Sequence, residues 1–248
     1  MNIGRAWNRL RSLPSVLNYV RVSFAQYAED LILSQMEPES RGFYVDVGAC
    51  QPRSGSNTYK LYLKGWSGVT IEPNPDVAGS FEKIRPRDTH LALGVSDATS
   101  ELIFYKTSQA NLNSFDPEWH QRSGIDVIER LPIKCVKLTD VLDQHCPTRQ
   151  IDLLTIDCEG YDMKVLEGLD WSRYRPTVVI IEDFAQFSNG ADRAGPTPIR
   201  SFMVDANTPS RRRRYSATSM WTVWPLADAI ETKVSGSTVR RWEGSLPR

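Results

Sequence analysis

The chain has 248 residues, 40% of them hydrophobic, which is enough for one sizeable core and fits one α/β domain with short additions better than two domains. Its 30 basic and 30 acidic side chains give a formal net charge of zero. That balance excludes a global field drawing it to nucleic acid or to an acidic surface, so any electrostatic attraction must be local.

The four cysteines, Cys50, Cys135, Cys146 and Cys158, show no Cys-x-x-Cys spacing, which argues against a zinc site and a disulfide framework. No apolar run approaches the roughly 20 residues that cross a bilayer. The N-terminus also lacks the apolar core and cleavage site of a secretory signal, so a reducing, cytoplasmic setting is expected.

In chain order, Met1 to Val22 carries Arg5, Arg9, Arg11 and Arg21 without an acid. Ile3, Trp7, Leu10, Leu13, Leu17 and Val20 recur there at mostly three- and four-residue intervals, a basic amphipathic segment interrupted at Pro14. Such a segment either touches an anionic membrane surface peripherally or packs on the domain as a helix. The domain proper spans residues 23–225, and residues 226–248 form a C-terminal tail.

From Gly42 a strand-then-helix alternation begins. Phe43 to Val47 is a near-continuous apolar run of the kind that is covered on both sheet faces. A turn from Gly48 to Gly55 follows, then Ser56, Asn57 and Thr58 offer capping side chains to a helix over Tyr59–Lys64 that Gly65 closes. Gly68–Ile71 reads as the second strand and runs into Glu72, Pro73, Asn74 and Pro75, with a helix over Asp76–Ile84. A third strand is expected over His90–Val95 and an added one over Glu101–Tyr105. Asn111–Arg130 reads as a polar insertion of low regularity, and Ile133–Leu138 as a strand leading into a helix at Thr139–Gln144. Ile151–Ile156 then gives a strand ending at Asp157, Cys158, Glu159 and Gly160, a helix at Met163–Leu169, and a strand at Thr177–Ile181 ending at Glu182 and Asp183.

Repeated βα units predict an α/β, Rossmann-like, doubly wound and mostly parallel sheet with helices on both faces. Ligands of such sheets gather at the carboxyl ends of the strands, where this chain places Asp46 and Gly48, Glu72, Ser96 and Asp97, Asp157 and Glu159, and Glu182. Each alone could be a turn former; together, at matching ends, they mark a site. Gly48 and Ala49 leave room for a ligand against the backbone, and Glu72 follows the turn at about the 20-residue offset at which an acid meets ribose hydroxyls. Cys50 stands where Gly-x-Gly-x-x-Gly has its second glycine, and Pro52 stiffens the loop, which serves a pyrophosphate badly and tilts the choice from a nicotinamide dinucleotide towards S-adenosylmethionine.

Four stretches sharpen this reading: SFAQYAEDLIL, GFYVDVGACQPRSGSNTYKLYLKGWSGVTIEPNPD, LNSF and IDLLTIDCEGYDMKVLEGLDWSRYRPTVVIIE. In order and spacing they resemble the FkbM family of S-adenosylmethionine-dependent methyltransferases. The resemblance covers Ser23 to Asp183 and implies a class I methyltransferase fold and mostly O-methylation. It implies that Asp46, Gly48 and Ala49 line the methionine side of the cofactor, that Glu72 with Pro73 meets the ribose, and that Ser96 and Asp97 lie near the adenine. Gln26 and Asp30 would cover the pocket, and Asn57, with Ser56 and Thr58, would cap a helix or contact the cofactor carboxylate. The commoner family turn has Asn, Asp and Gly where this chain has Cys50, Gln51 and Pro52, although proline at that third place resembles one branch, so contacts from Cys50 and Gln51 stay open. Beyond Phe184 the resemblance fades, and Arg211–Arg214 reads as a solvated loop or an anion contact.

Methyl transfer needs an acceptor oxygen held in line and a group to take its proton. Asp157 and Glu159 straddle Cys158 and are the leading acid and base, with His120 a second base; strand alternation would bring the two carboxylates to one side unless the turn at Gly160 breaks it. With Glu182 they would make three oxygen donors for a divalent metal, but without a fourth ligand no metal is assigned. The expected acceptor is a hydroxyl of a sugar, glycan or secondary metabolite. Two alternatives are an NAD-binding oxidoreductase and a catalytically silent adapter that keeps the fold.

Overall fold

Strand β1 (Phe43–Val47) is buried along its whole length because it lies in the middle of a sheet covered on both faces. It pairs in parallel with β2 (Ser67–Ile71) on one side and with β7 (Leu153–Ile156) on the other. In the computed structural model, which describes residues 21–36, 41–183, 197–206, 215–216 and 221–225, the main sheet has seven strands in the order β3 (Thr89–Leu91), β2, β1, β7, β8 (Val178–Glu182), β10 (Trp221–Pro225) and β9 (Tyr215–Ser216). Strands β3, β2, β1, β7 and β8 run parallel. At the far edge β10 and β9 are added antiparallel. The fold is the doubly wound, Rossmann-like α/β type, and chain order reverses direction between β1 and β7, which opens a crevice at their carboxyl ends.

Alternation along the strands divides the core in two. Val45, Val47, Leu154, Ile156, Val179 and Ile181 face one cluster, completed by α5 (Leu138–His145), α6 (Asp162–Glu167) and α7 (Pro198–Ala206). Tyr44, Leu153, Val178 and Ile180 face the other, under α1 (Glu29–Met36) and α2 (Tyr59–Leu63). Ser56 starts α2 by accepting a hydrogen bond from the Tyr59 amide at 3.1 Å, and Gly65, at φ +96°, ends it. After β2, a 3₁₀ turn (Pro75–Val77) capped by Asn74 leads into α3 (Ala78–Ile84).

Two sequence expectations change. The single strand over His90–Val95 is two: β3 stays in the main sheet, while β4 (Gly94–Ser96) leaves it for a second sheet of three strands, β4-β6-β5. Gly94 permits the departure, since a Cβ there would lie 2.4 Å from Cys135 Sγ on β6 (Val127–Lys137). The insertion is also more regular than its composition suggests. It holds a 3₁₀ turn (Ala110–Leu112), helix α4 (Trp119–Ser123) and the first residues of β6, whose eleven residues pair antiparallel with β5 (Ser100–Thr107). Pro132 and the charged Glu129 and Arg130 hide this strand from hydropathy. In the sheet, Glu129 pairs with Lys106 of β5 at 2.6 Å and the Arg130 guanidinium lies over Tyr105, so pairing supplies what periodicity does not. Pro132 is tolerated because β4 reaches only Cys135–Lys137, leaving β6 with one neighbour at that point.

Residues 1–20 of the basic segment expected over Met1 to Val22, the run Arg211–Arg214 and the tail 226–248 lie outside the described residues. Among the described residues no helix is long and apolar enough to cross a membrane.

Candidate functional site

The crevice at the reversal point is a cavity of about 640 Å³, within the range of small-molecule sites. Four elements wall it. The loop Ser23–Gln26 closes one side, and the turn Gly48–Gly55 and Glu72–Pro73 form the strand-end side. Asp157–Tyr161 lies opposite, and the second sheet contributes Phe104, with Ala110, Asn111 and Asn113–Phe115 from the segment that follows β5. Its charged lining residues are Glu72, Asp157 and Glu159; no lysine, arginine or histidine lines it among the described residues.

The first three amides of the turn after β1 are not offered to a ligand. Gly48 and Ala49 both donate to the Ile71 carbonyl, at 2.9 and 3.1 Å, and the Cys50 amide donates to Glu72 Oε2 at 2.9 Å. Gly48 is required for a different reason: at φ +79° a Cβ would lie 1.8 Å from the Asp157 carbonyl oxygen, so glycine lets β1 and β7 end side by side. Glu72 is buried and doubly held, its Oε1 accepting from the Asn74 amide at 2.8 Å. Burial pushes its carboxyl up to about 7, against those two amide bonds. The Cys50 thiol, pushed up to about 12 by burial and then by Glu72, stays protonated.

On the opposite wall, Asp157 and Glu159 do converge, but through the turn and not through strand alternation. Glu159 has φ +50° and Gly160 φ +88°, two consecutive left-handed residues. Asp162 stabilises that bend by accepting from the amides of Cys158 and Gly160, at 2.9 and 3.1 Å. Ser114 Oγ donates to the Glu159 carbonyl at 2.9 Å, which ties the second sheet to the same turn. Glu182, at the end of β8, completes a group in which one oxygen from each of Asp157, Glu159 and Glu182 lies within 4.8 Å of the others. Burial first, and then the neighbouring acids, Asp162 for Asp157, Asp157 with Asp162 for Glu159, and all three of Asp157, Glu159 and Asp162 for Glu182, raise these carboxyls well above the ordinary range.

The remaining sequence candidates divide. Gln26, Gly48, Cys50, Glu72 and Pro73 line the cavity with Asp157 and Glu159; Ala49 is buried beside it and is not a lining residue. Asp46 faces away, because alternation puts it on the side of Tyr44: it accepts from Thr58 Oγ1, which in turn accepts from Arg85 Nη2 at 2.8 Å. Asn57 is buried and donates to Thr155 Oγ1 at 3.2 Å. Asp30 acts on the covering loop from behind, accepting from Ser23 Oγ and the Phe24 amide at 2.6 and 2.8 Å. Ser96 and Asp97 are not in the lining; Ser96 lies 3.1 Å from the Tyr161 hydroxyl, which is, and Asp97 pairs with Lys164 at 2.7 Å on the surface. His120 stands outside the lining, its ring 5.3 Å from that of Tyr105.

Sequence reasoning passed over Phe104, Phe115 and Tyr161, the aromatic part of the wall, and Asp162, which braces the acidic turn. The LNSF stretch pointed at Ser114 and Phe115 without giving them roles.

A family model for the Methyltransferase FkbM domain matches residues 46–216, well over half of the chain. No curated protein matches the chain in sequence. Among solved structures, the crystal structure of a candidate O-methyltransferase from Klebsiella pneumoniae aligns over 84% of each chain at 12% identity with a TM-score of 0.38, too distant to carry an argument. The family match, on a chain folded as a doubly wound α/β sheet with its cavity at the strand ends, places this protein in the FkbM methyltransferase family: it is a methyltransferase.

Proposed function

We propose that the protein transfers a methyl group from S-adenosylmethionine to a hydroxyl oxygen of a sugar, a glycan or a related secondary metabolite. The observation that carries this reading is the acidic character of the cavity: three carboxyl groups, which burial raises above the ordinary range and which are anionic once ionised, line it and no basic side chain does among the described residues. Such a wall attracts a ligand that carries a sulfonium and an ammonium group and repels a pyrophosphate. The donor set agrees, since the amides of residues 48–50 are spent inside the protein and leave nothing there for a phosphate.

When bound, S-adenosylmethionine would supply an electrophilic methyl group to which an acceptor oxygen bonds in line as the methyl–sulfur bond breaks and the neutral thioether leaves. Glu72, oriented by the Cys50 and Asn74 amides, holds ribose hydroxyls with its remaining lone pairs. Gly48, Ala49, Cys50 and Pro73 shape the cofactor side, and Gln26 covers it. Asp46, Asn57, Ser96 and Asp97 position that side from behind, through Thr58, Thr155, Tyr161 and Lys164 respectively. Asp157 and Glu159 face the acceptor and take its proton, and their burial makes them stronger bases once ionised.

The test is to incubate the full chain with cofactor labelled in the methyl group and a panel of glycans and hydroxylated small molecules. Label on oxygen is expected. Label appearing only on nitrogen or sulfur overturns the oxygen assignment, and calorimetry showing NAD bound in preference to S-adenosylmethionine overturns the whole reading.

A further inference from the structure

We propose that Asp157, Glu159 and Glu182 form a binding site for one hard divalent cation, Mg²⁺ or Mn²⁺, at the acidic wall of the cavity. The three carboxylates come from two neighbouring strand ends, those of β7 and β8, and each brings one oxygen within 4.8 Å of the other two. Oxygens that ligate such an ion at about 2.1 Å stand roughly 3 to 4 Å apart around it, so the arrangement needs only small side-chain rotations to close on one.

A second observation is independent of that clustering. Glu159 and Glu182 are only 8% and 3% exposed, yet Glu159 Oε2 and Glu182 Oε2, with Asp157 Oδ1, have no hydrogen-bond donor. Of the neighbouring buried acids, Asp162 and Glu72 each take two amides, whereas Asp183 and Glu29 each keep one oxygen without a donor, so it is the convergence of three such groups that sets this cluster apart. Leaving buried carboxylate oxygens without a donor is costly, and polar groups so placed are ordinarily paired or bound to metal.

The charge around them points the same way. The charges that act most on the three carboxyls are those of one another and of further acids, Asp162 with Asp46 and Glu29, and Asp157 and Glu182 lie within hydrogen-bond reach of each other. Two neutralising agents remain, a proton shared between Asp157 and Glu182, or a cation. An all-oxygen donor set selects a hard ion over zinc or copper. Three protein ligands also leave coordination positions open towards the cavity, where an acceptor hydroxyl would enter; that last use rests on the methyl-transfer reading, whereas cation binding does not.

Titrating Mn²⁺ into the full chain after dialysis against a chelator, with no cofactor present, reads the site by paramagnetic resonance and calorimetry. One Mn²⁺ per chain, displaced by Mg²⁺, is expected, with affinity at least tenfold weaker in Glu182→Gln and in Glu159→Gln; circular dichroism identifies any variant that fails to fold. No stoichiometric Mn²⁺ binding up to about 1 mM, or equal affinity in the wild type and both folded variants, overturns the proposal in favour of the shared proton. Intact Mn²⁺ binding in a protein that ignores S-adenosylmethionine would instead count against the methyl-transfer reading and leave the cation site standing.

Discussion

Glu72 shows how one side chain can be both a structural and a binding group. Its two backbone amides fix the carboxylate at the end of β2, and its remaining lone pairs meet the ligand. Glu72→Ala should weaken S-adenosylmethionine about 10- to 100-fold by calorimetry, the scale of hydrogen bonds to a charged acceptor. Because burial holds the carboxyl at about 7, affinity should rise between pH 6 and pH 8 as it ionises, and Glu72→Gln should flatten that rise. His90 gives a stability counterpart. Stacked on Phe81 at 4.2 Å, with Nε2 buried and unpartnered, it is pushed down to about 4. A depressed folded value means that its contribution is complete above about pH 6.5 and is lost as pH falls towards 4. His90→Gln should therefore reduce the acid slope of the urea midpoint in that window, by on the order of 1 to 2 kcal/mol after screening.

At the scale of elements, the two turns that face each other across β1 and β7 decide the site. Gly48→Ala should cost about 3 kcal/mol or more in urea unfolding, since it adds left-handed strain to a contact with the Asp157 carbonyl that leaves no room. Asp162→Ala should relax the Cys158–Gly160 bend, lowering kcat more than it raises KM for the cofactor, because Glu72 and its amides are untouched. Strand β1 and the ends of β2, β7 and β8 were legible because buried parallel strands are apolar runs with acids at their ends. The second sheet was legible only in part: the strands at Glu101–Tyr105 and from Ile133 onward were read, but not the first half of β6 or the separation of the three strands from the main sheet. Its β6 alternates weakly and is built on cross-strand pairs such as Lys106–Glu129, which belong to two segments and appear in neither alone. The aromatic wall was hidden for the same reason: Phe104 lies on β5, Phe115 follows a 3₁₀ turn, and only folding brings them within 5.0 Å. Asp157 and Glu159 were found, but by an incomplete argument, since a left-handed bend and not the pleat joins them.

For the whole molecule, neutrality conceals a local imbalance: 30 acids balance 30 bases overall, while three acids and, among the described residues, no base line the cavity. Thermal unfolding should therefore respond to ligand charge. S-adenosylmethionine at 100 times its Kd should add about 2.7 kcal/mol of stability, while NAD at the same concentration should leave the midpoint unchanged. Deuterium exchange should be slowest in β1, β7 and β8, which are buried from end to end, and faster in β5 and β6, which are only partly buried.

The turn after β1 sets a limit on redesign. Changing Cys50 and Pro52 to glycine would restore the look of a dinucleotide-binding loop without its chemistry, because the amides at 48, 49 and 50 already have partners in Ile71 and Glu72. A phosphate could recruit them only by parting the ends of β1 and β2, which would dismantle the mount that aims Glu72. In this scaffold, ligand preference is encoded less by which residue stands in the loop than by which donors the fold has already committed.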